Sequence, residues 1–399
     1  NSGDFVASSC SVSGLTGGLT YKYQVSALSL SGESDRSAEM SWRTSPLEVS
    51  GVDSAAQTTD SITLTWSAPA ATGGNEASGY MVYRNDGLSG STEMSTVAYD
   101  GSSSTAVTGV VSGLVGGREY SFVVSAMSAG GMGDVSAEVH QSTSPAAPSG
   151  LESTVQTTTS ITLSWVAPVT EAGGAAVSGY ILYRNDGSAD GAVTIEVYEA
   201  GAAADATTTT SSTSTVVTGL SGGVEYAFAV AARSSAGLSD RSLVASVSTA
   251  SAVADRPVAT HQTASSLTLS WSAPTVGTGA VATGYRVYLV TDADGTPDPV
   301  YTEVYDGSGS TATTTELTSL SSGSSYRYVL STMSVSGESD VSAEVTVSTA
   351  PGVATGLSST LQTTSSIALA WTAPTISGGG SPVTGYKVYS RVVHAQHGA

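Results

Sequence analysis

The stretch Ser61–Pro69, with the sequence SITLTWSAP, decides the fold class of this chain. Its apolar residues Ile62, Leu64 and Trp66 alternate with polar residues, which is the period of a β-strand that buries one face. The proline ends the strand, because it has no N–H to donate to a neighbouring strand. We therefore predict a short strand whose tryptophan points into a core.

The same stretch recurs along the chain. Trp165 lies in SITLSWVAP, Trp271 in SLTLSWSAP and Trp371 in SIALAWTAP, at intervals of about 100 residues. A series of tyrosines, each following a glycine- or serine-rich turn, advances in step with the tryptophans. Two landmarks that keep their register indicate tandem copies of one domain. The tyrosines are Tyr21, Tyr120, Tyr226 and Tyr326.

The order of the two landmarks predicts the domain boundaries. The first tyrosine has no tryptophan before it, and the last tryptophan has no corner tyrosine after it. Half a sandwich cannot bury its inner face, so we expect this sequence to be a segment of a longer array. We predict a C-terminal half-domain over residues 1–45, whole domains over 46–145, 146–249 and 250–350, and an N-terminal half-domain over 351–399.

Turn signals divide each unit into short strands. A strand over Tyr80–Arg84 is followed by Asn85-Asp86-Gly87, whose residues tolerate the backbone of a tight turn, and Arg184–Gly187 repeats the pattern. About seven short strands, separated by turns every 8 to 12 residues or so, are typical of an antiparallel sandwich. We therefore predict an all-β chain.

These residues resemble fibronectin type III domains over essentially the whole chain. The tryptophans resemble the strand B tryptophan of that family, and Leu114, Gly117 and Tyr120 resemble its Leu-x-x-Gly-x-x-Tyr corner. The other corner copies end at Tyr21, Tyr226 and Tyr326. The residues that resemble the strand C tyrosine are Tyr83, Tyr183, Tyr288 and Tyr389.

The resemblance implies tandem seven-stranded antiparallel β-sandwiches of the immunoglobulin-like type, arranged as beads on a string. It also implies that each corner tyrosine bonds back to the backbone. The structural core residues that it indicates are Trp66, Trp165, Trp271, Trp371, Tyr21, Tyr120, Tyr226 and Tyr326.

The charge of the chain excludes two classes of partner. The net charge is −20, and the 13 Lys and Arg residues form no cluster, so neither nucleic acid nor an anionic membrane surface is an expected partner. No apolar run is long enough to insert into a membrane. Cys10 is the one cysteine. It can form no disulfide within the chain, and we interpret it as a small core residue.

No catalytic centre is predicted. Gly219–Gly223 matches the Gly-x-Ser-x-Gly pattern of a nucleophile elbow, but that elbow requires a strand leading into a helix, and no helix pattern follows. His140 and His261 lie far apart near domain junctions. His394 and His397 have a spacing that places them on opposite faces of a strand. The chain is therefore predicted not to be an enzyme.

Metal binding is predicted to be weak at most, and no other cofactor is expected. Asp292 and Asp294 begin like a calcium loop, but the third ligand and the distal glutamate are missing, which favours an ordinary turn. The acidic loops Gly32–Asp35 and Gly337–Asp340 lie near domain junctions and could hold structural calcium weakly.

One insertion distinguishes the unit that contains Trp165. Residues Ala200–Ser214 are rich in Ala, Thr and Ser, which predicts a loop rather than a site, and Thr207–Thr215 is a candidate for O-glycosylation. The chain contains no Asn-x-Ser/Thr acceptor and no Arg-Gly-Asp triplet. Integrin-type binding therefore has no support in the sequence.

The leading functional hypothesis is a non-catalytic structural or adhesive stalk, or a filament segment, of a larger extracellular or cell-surface protein. Its expected partners are other protein chains, either further repeats of the same protein or neighbours in a filament, together with glycans. Short junctions that carry Pro46, Pro145, Pro257 and Pro351 predict a semi-stiff rod. Two alternatives remain: a spacer array attached to a secreted carbohydrate-active enzyme, and the ligand-binding ectodomain of an adhesion receptor.

Overall fold

The computed structural model describes residues 8–70, 75–85, 87, 94–171, 173–200, 212–275, 277–292 and 299–392, with the backbone alone at 198–200. Over these residues the regular secondary structure consists of thirty strands and contains no helix. The strands pair antiparallel throughout. The prediction of an all-β antiparallel architecture is therefore confirmed.

The first complete sandwich contains eight strands: β5 (Ser50–Gln57), β6 (Ser61–Ser67), β7 (Gly79–Arg84), β8 (Thr96–Gly101), β9 (Thr108–Ser112), β10 (Glu119–Ser128), β11 (Gly131–Val135) and β12 (Val139–Ser142). One sheet has the order β5-β6-β9. The other has the order β11-β10-β7-β8, with β12 also paired to β10. Strands β11 and β12 are two parts of one edge strand, so the sandwich has seven strand positions.

The second sandwich repeats this topology, with sheets β13-β14-β17 and β16-β15-β18-β19 and with β20 on β18. Its strands are β13 (Ser149–Gln156), β14 (Ser160–Val166), β15 (Val177–Arg184), β16 (Ile195–Ala200), β17 (Ser214–Thr218), β18 (Glu225–Ser234), β19 (Gly237–Arg241) and β20 (Ala245–Ser248).

The third sandwich has sheets β21-β22-β25 and β24-β23-β26-β27, with β28 on β26. Its strands are β21 (Val258–Gln262), β22 (Leu267–Ser270), β23 (Ala282–Asp292), β24 (Pro299–Asp306), β25 (Thr314–Leu317), β26 (Ser325–Ser334), β27 (Gly337–Glu338) and β28 (Val345–Ser348).

Two-stranded sheets flank the three sandwiches. Before them, β1 pairs with β4 and β2 with β3, and after them β29 pairs with β30. The strands are β1 (Thr20–Tyr23), β2 (Leu28–Ser29), β3 (Gly32–Glu33), β4 (Met40–Arg43), β29 (Thr355–Gln362) and β30 (Ile367–Thr372).

Each sandwich has its own core between its two sheets. In β6 the burial alternates strictly: Ile62, Leu64 and Trp66 are buried and the residues between them are half-buried, as the period of two predicts. The indole of Trp66 packs against the ring of Tyr80 at a centroid distance of 5.3 Å. The same pair recurs as Trp165 with Tyr180 and as Trp271 with Tyr285.

The corner before each long strand is closed by a tyrosine. The Tyr120 hydroxyl accepts the backbone N–H of Val115 at 2.9 Å, which is the backbone hydrogen bond that the resemblance implied. Gly117 in this corner has a φ of +73°, a left-handed conformation that glycine adopts without a steric penalty. Equivalent bonds join Thr16 to Tyr21, Ser221 to Tyr226 and Ser321 to Tyr326.

Candidate functional site at the domain junctions

The landmark aromatic residues lie in or beside the cores of their units. Trp66, Trp165, Trp271, Tyr120 and Tyr226 are buried. The others, Tyr21, Tyr326 and Trp371, are half-buried. Trp371 contacts Tyr386 at a ring-centroid distance of 5.2 Å, which repeats the core pair of the complete sandwiches. All of them stabilise the fold through packing.

The weak metal candidates are not brought together by the described structure. Asp292 lies at the end of β23, where its carboxylate accepts a 2.6 Å hydrogen bond from the Arg327 guanidinium. Asp294, His394 and His397 lie outside the described residues. Within the described part of the chain, no three His, Cys, Asp or Glu side chains are grouped so that they could hold a metal ion.

The acidic loops instead use their carboxylates within the fold. Glu33 accepts a hydrogen bond from the Ser26 hydroxyl, and Glu338 accepts one from Tyr288 and one from Arg286. Both carboxylates therefore accept hydrogen bonds from donors of their own units, and Glu338 is also paired with a guanidinium.

Two other candidates occupy ordinary positions. His140 pairs through Nδ1 with the Ser121 hydroxyl at 2.9 Å. Cys10 is exposed, so its interpretation as a core residue is wrong. It lies in an irregular segment before β1.

The junctions between successive units are where the described structure departs most from independent beads. The carbonyl oxygen of Gly117, in the corner of the first sandwich, accepts the N–H of Glu171, in the loop between β14 and β15 of the second. At the next junction Gly223 accepts from Gly279 at 2.9 Å, and at the following one Gly323 accepts from Ser377 at 3.2 Å. The carbonyl oxygen of the corner glycine therefore accepts a hydrogen bond from the next unit at three successive junctions.

A second contact recurs on another pair of loops. The N–H of Asp240, in the β18–β19 hairpin of the second sandwich, donates to the hydroxyl of Thr59 in the β5–β6 turn of the first at 3.4 Å. At the next junction Asp340 donates to Thr158 at 2.9 Å. The Ser144 hydroxyl, next to the linker, donates to the carbonyl of Ala236 in the same hairpin at 2.9 Å, and this bond is buried.

The junction before the first sandwich uses the same loops with different atoms. The Asn75 amide, in the loop between β6 and β7, donates to the carbonyl of Thr44 at 2.6 Å. The Ser45 hydroxyl donates to the carbonyl of Gly130 in the β10–β11 hairpin at 3.3 Å. Each of these junctions is therefore held by the loop between the second and third strand positions, and the first three also by the hairpin.

Close backbone approach at these joints requires glycine. A β-carbon on Gly174 would collide with the carbonyl oxygen of Gly117 across the junction, and one on Gly237 would lie 2.8 Å from the Ser144 hydroxyl. Contacts this short are not tolerated between a methyl group and backbone or hydroxyl oxygen. Glycine therefore lets neighbouring units pack more closely than a residue with a β-carbon would allow.

One ion pair adds to the interface between the first and second sandwiches. The Arg118 guanidinium lies 2.6 Å from the Glu171 carboxylate, and this hydrogen bond raises the pKa of Arg118. The arginine side chain is 16% exposed and the glutamate 44%. A pair this exposed contributes about 0.2 to 1 kcal/mol and is screened by salt, so the backbone contacts dominate the joint.

A family model described as "Fibronectin type III domain" matches residues 47–142, 146–248 and 251–348, which together make up well over half of the chain. The chain belongs to the fibronectin type III domain family. The match follows the three complete sandwiches, and the two-stranded sheets at either side lie outside it.

Two curated proteins are similar to this chain in sequence. Exoglucanase B of Cellulomonas fimi is 31% identical over 269 residues, which are 62% of this chain and 21% of the relative. Chitinase A1 of Niallia circulans is 39% identical over 152 residues, which are 36% of this chain and 19% of the relative. The chain thus spans about a fifth of the length of the curated relatives that it matches.

Solved structures with some similarity include fibronectin-type arrays. The crystal structure of the chicken CNTN1 FN1-FN3 domains is 18% identical, with a TM-score of 0.28, over 76% of this chain and 99% of that one. A two-domain fibronectin type III segment of chicken tenascin is 24% identical, with a TM-score of 0.25, over 51% of this chain and 99% of that one. Separately, the part of the chain that the structure describes contains no helix that could cross a membrane.

Proposed function

We propose that this chain is a rigid, non-catalytic spacer of a longer extracellular carbohydrate-active protein, and that it sets both the distance and the rotation between the parts attached at its two ends. The observation that carries the proposal is the recurrence of one backbone contact, from Gly117, Gly223 and Gly323 to the next unit, at three successive junctions. A flexible tether has no need of such contacts.

The geometry supports stiffness because each joint is held at more than one place. The linker, the corner and, between the complete sandwiches, the hairpin all join neighbouring units, as Ser144, Gly117 and Thr59 do between the first two. Rotation about the linker must break at least one of these bonds. A hydrogen bond contributes about 0.5 to 1.5 kcal/mol, so breaking one bond costs about one to two and a half times the thermal energy, and breaking all three costs about three times as much.

The comparisons support the carbohydrate-active setting. The relatives are named an exoglucanase and a chitinase, and the matched region is about a fifth of each. Enzymes of this kind act on polymers outside the cell, where a rigid spacer would fix the separation between two parts of one protein. The net charge of −20 would keep neighbouring rods apart in solution.

Small-angle X-ray scattering of the 399-residue chain tests the spacer directly. We expect the profile of a stiff rod, with a largest dimension on the order of 130 Å from about 35 Å per sandwich. A variant with four glycines inserted after Ser144 should lose the rod profile while its sandwiches unfold at an unchanged temperature. A profile of independent beads for the unaltered chain would rule out the rigid spacer.

A structural or adhesive stalk of the cell surface is the second candidate, because the same joints would transmit force along a filament. Electron microscopy of the native full-length protein separates the two. Stiff rods that end in a larger globule support the spacer. A continuous fibre with an axial step of about one domain length, roughly 35 Å, supports the filament and argues against the spacer.

A further inference from the structure

The outer face of the larger sheet differs among the three sandwiches, and the difference centres on one tyrosine. Tyr83, Tyr183 and Tyr288 occupy equivalent positions on β7, β15 and β23, opposite Val123, Ala229 and Val329 respectively. Because side chains alternate along a strand, these tyrosines face away from the core that holds Tyr80 and its equivalents.

In the second sandwich the chain covers this tyrosine with its own arginine. The Arg241 guanidinium lies 3.7 Å from the centroid of the Tyr183 ring and donates to the carbonyl of Val193. Tyr183 is left 5% exposed. A guanidinium in this position is attracted by the negative face of the ring.

In the third sandwich a polar network occupies the same face. The Glu338 carboxylate accepts one hydrogen bond from the Tyr288 hydroxyl at 2.5 Å and another from Arg286 at 3.0 Å. Arg286 also lies 3.5 Å from Glu303, which stands opposite Tyr288 on β24. The face is closed by charges that compensate one another.

In the first sandwich every one of these positions is apolar. Val135 takes the place of Arg241, because it pairs with Ser125 in the same register as Arg241 pairs with Ala231. Met132 takes the place of Glu338, because it pairs with Met127 in the same register as Glu338 pairs with Met333. Val97 stands opposite Tyr83 where the third sandwich has Glu303. The three substituted side chains are largely exposed: Val97 by 50%, Met132 by 44% and Val135 by 49%.

We propose that this Tyr83 face, defined by Met81, Tyr83, Val97, Met132 and Val135, binds an arginine-bearing segment of a partner protein whose guanidinium stacks on Tyr83 as Arg241 stacks on Tyr183. The face offers apolar side chains around an aromatic ring, and methionine side chains adapt to varied partners. The Tyr83 hydroxyl is oriented by the sulfur of Met132, at 3.4 Å.

The charge at the rim favours a cation over a second copy of this chain. Asp100 stands opposite Met81 on the same face, and hydrogen bonds from Ser102 hold its pKa below the usual value. The whole chain carries a net charge of −20, so two copies repel each other while a basic segment is attracted.

Methyl NMR of the full chain, labelled with ¹³C at the methionine methyl groups, tests this with a capped Leu-Arg-Leu tripeptide as the probe. We expect the Met81, Met127 and Met132 signals to shift with peptide concentration, and the Met333 signal, at the position equivalent to Met127 in the third sandwich, to stay in place. The control peptide carries citrulline, which keeps the shape of arginine and lacks its charge. Equal shifts with citrulline would overturn the proposal.

Two variants exchange the state of the two sandwiches. V135R supplies in the first sandwich the arginine that the second already has, and we expect it to weaken peptide binding at Met132 about tenfold or more. R241V should create a second peptide site at Tyr183, detected by the shift of a labelled tyrosine ring. Unchanged binding in V135R with no new site in R241V would overturn the proposal. So would concentration-dependent dimerisation without peptide that V135R abolishes.

Discussion

The N–H of Asp340 donates to the hydroxyl of Thr158, a residue 182 positions earlier in the chain, at 2.9 Å. Asp340 belongs to the third sandwich and Thr158 to the second, and the same bond joins Asp240 to Thr59 one unit earlier. A contact that recurs with the domain period is a property of the array, because no isolated sandwich can make it.

Removing this acceptor should loosen one joint without unfolding a sandwich. T158V keeps the shape of the side chain but leaves the Asp340 N–H without the hydroxyl, so we expect the coupling between the second and third sandwiches to fall by about 1 kcal/mol. Hydrogen exchange at Asp340 should accelerate accordingly. T65V, within strand β6 of the first sandwich, serves as the control and should leave that rate unchanged.

Adding a side chain where the backbones meet between the first and second sandwiches should push these two units apart. In G174V the new side chain meets the carbonyl oxygen of Gly117, and the hydrogen bond from Glu171 to the same oxygen should be lost with it. Small-angle scattering should then show bending between the first and second sandwiches. G385V is the matched control, since a β-carbon there has no neighbour within 4 Å. A rod of unchanged stiffness in G174V would count against the joint.

The corner tyrosine should stabilise its own sandwich rather than the joint. Y120F removes the acceptor of the Val115 N–H, and we expect the free energy of unfolding of the first sandwich to fall by about 1 to 1.5 kcal/mol. Calorimetry of the full chain can follow the transition of that sandwich. Y83F removes a hydroxyl that contacts sulfur instead of a backbone amide and should cost less. Equal losses would contradict this assignment.

The Arg118–Glu171 ion pair should contribute little to the coupling free energy between the first and second sandwiches. With side-chain exposures of 16% and 44%, E171Q is expected to change the coupling between the first and second sandwiches by less than about 1 kcal/mol, and about 0.5 M salt should remove most of that change. Double-mutant cycles that combine E171Q with R118Q, at low and high salt, measure the interaction free energy of this ion pair. A salt-independent coupling of several kcal/mol would show that the ion pair, and not the backbone, holds the joint.

The repeat made the sandwiches predictable from the sequence, because a strand that buries one face must alternate, as Ile62, Leu64 and Trp66 do. The same reasoning could not distinguish Tyr80 from Tyr83 as the partner of the tryptophan. Both tyrosines lie on β7, and their spacing of three residues places them on opposite faces. The structure puts Tyr80 in the core at 2% exposure and leaves Tyr83 half-buried on the outer face.

The break in the last strand position was also missed. This strand position is divided into β11, which ends at Val135, and β12, which begins at Val139. The Ser136 hydroxyl accepts the N–H of Val124, and its own N–H donates to the carbonyl of Val124. A serine side chain thus replaces one backbone partner of the ladder, which alternation of apolar residues does not reveal.

The joints could be predicted in outline but not in detail. Short proline-bearing linkers indicated limited swing, yet the bonds from Gly117, Gly223 and Gly323 are made by backbone atoms and carry no side-chain signature. The signal available in the sequence was the glycines at equivalent positions of different units, such as Gly174 and Gly380, which the close packing against the corner glycine across the junction requires.

The most direct test of the central claim is the distance distribution between spin labels on the first and second sandwiches. Labels at V110C and V216C, both in exposed positions on equivalent strands, in a chain that also carries C10S, report on one joint by double electron–electron resonance. For joints held by backbone contacts we expect a single narrow distance that is unchanged between low salt and about 1 M salt, where surface charges are screened. A broad distribution would show that the sandwiches move independently and that the array is a flexible tether.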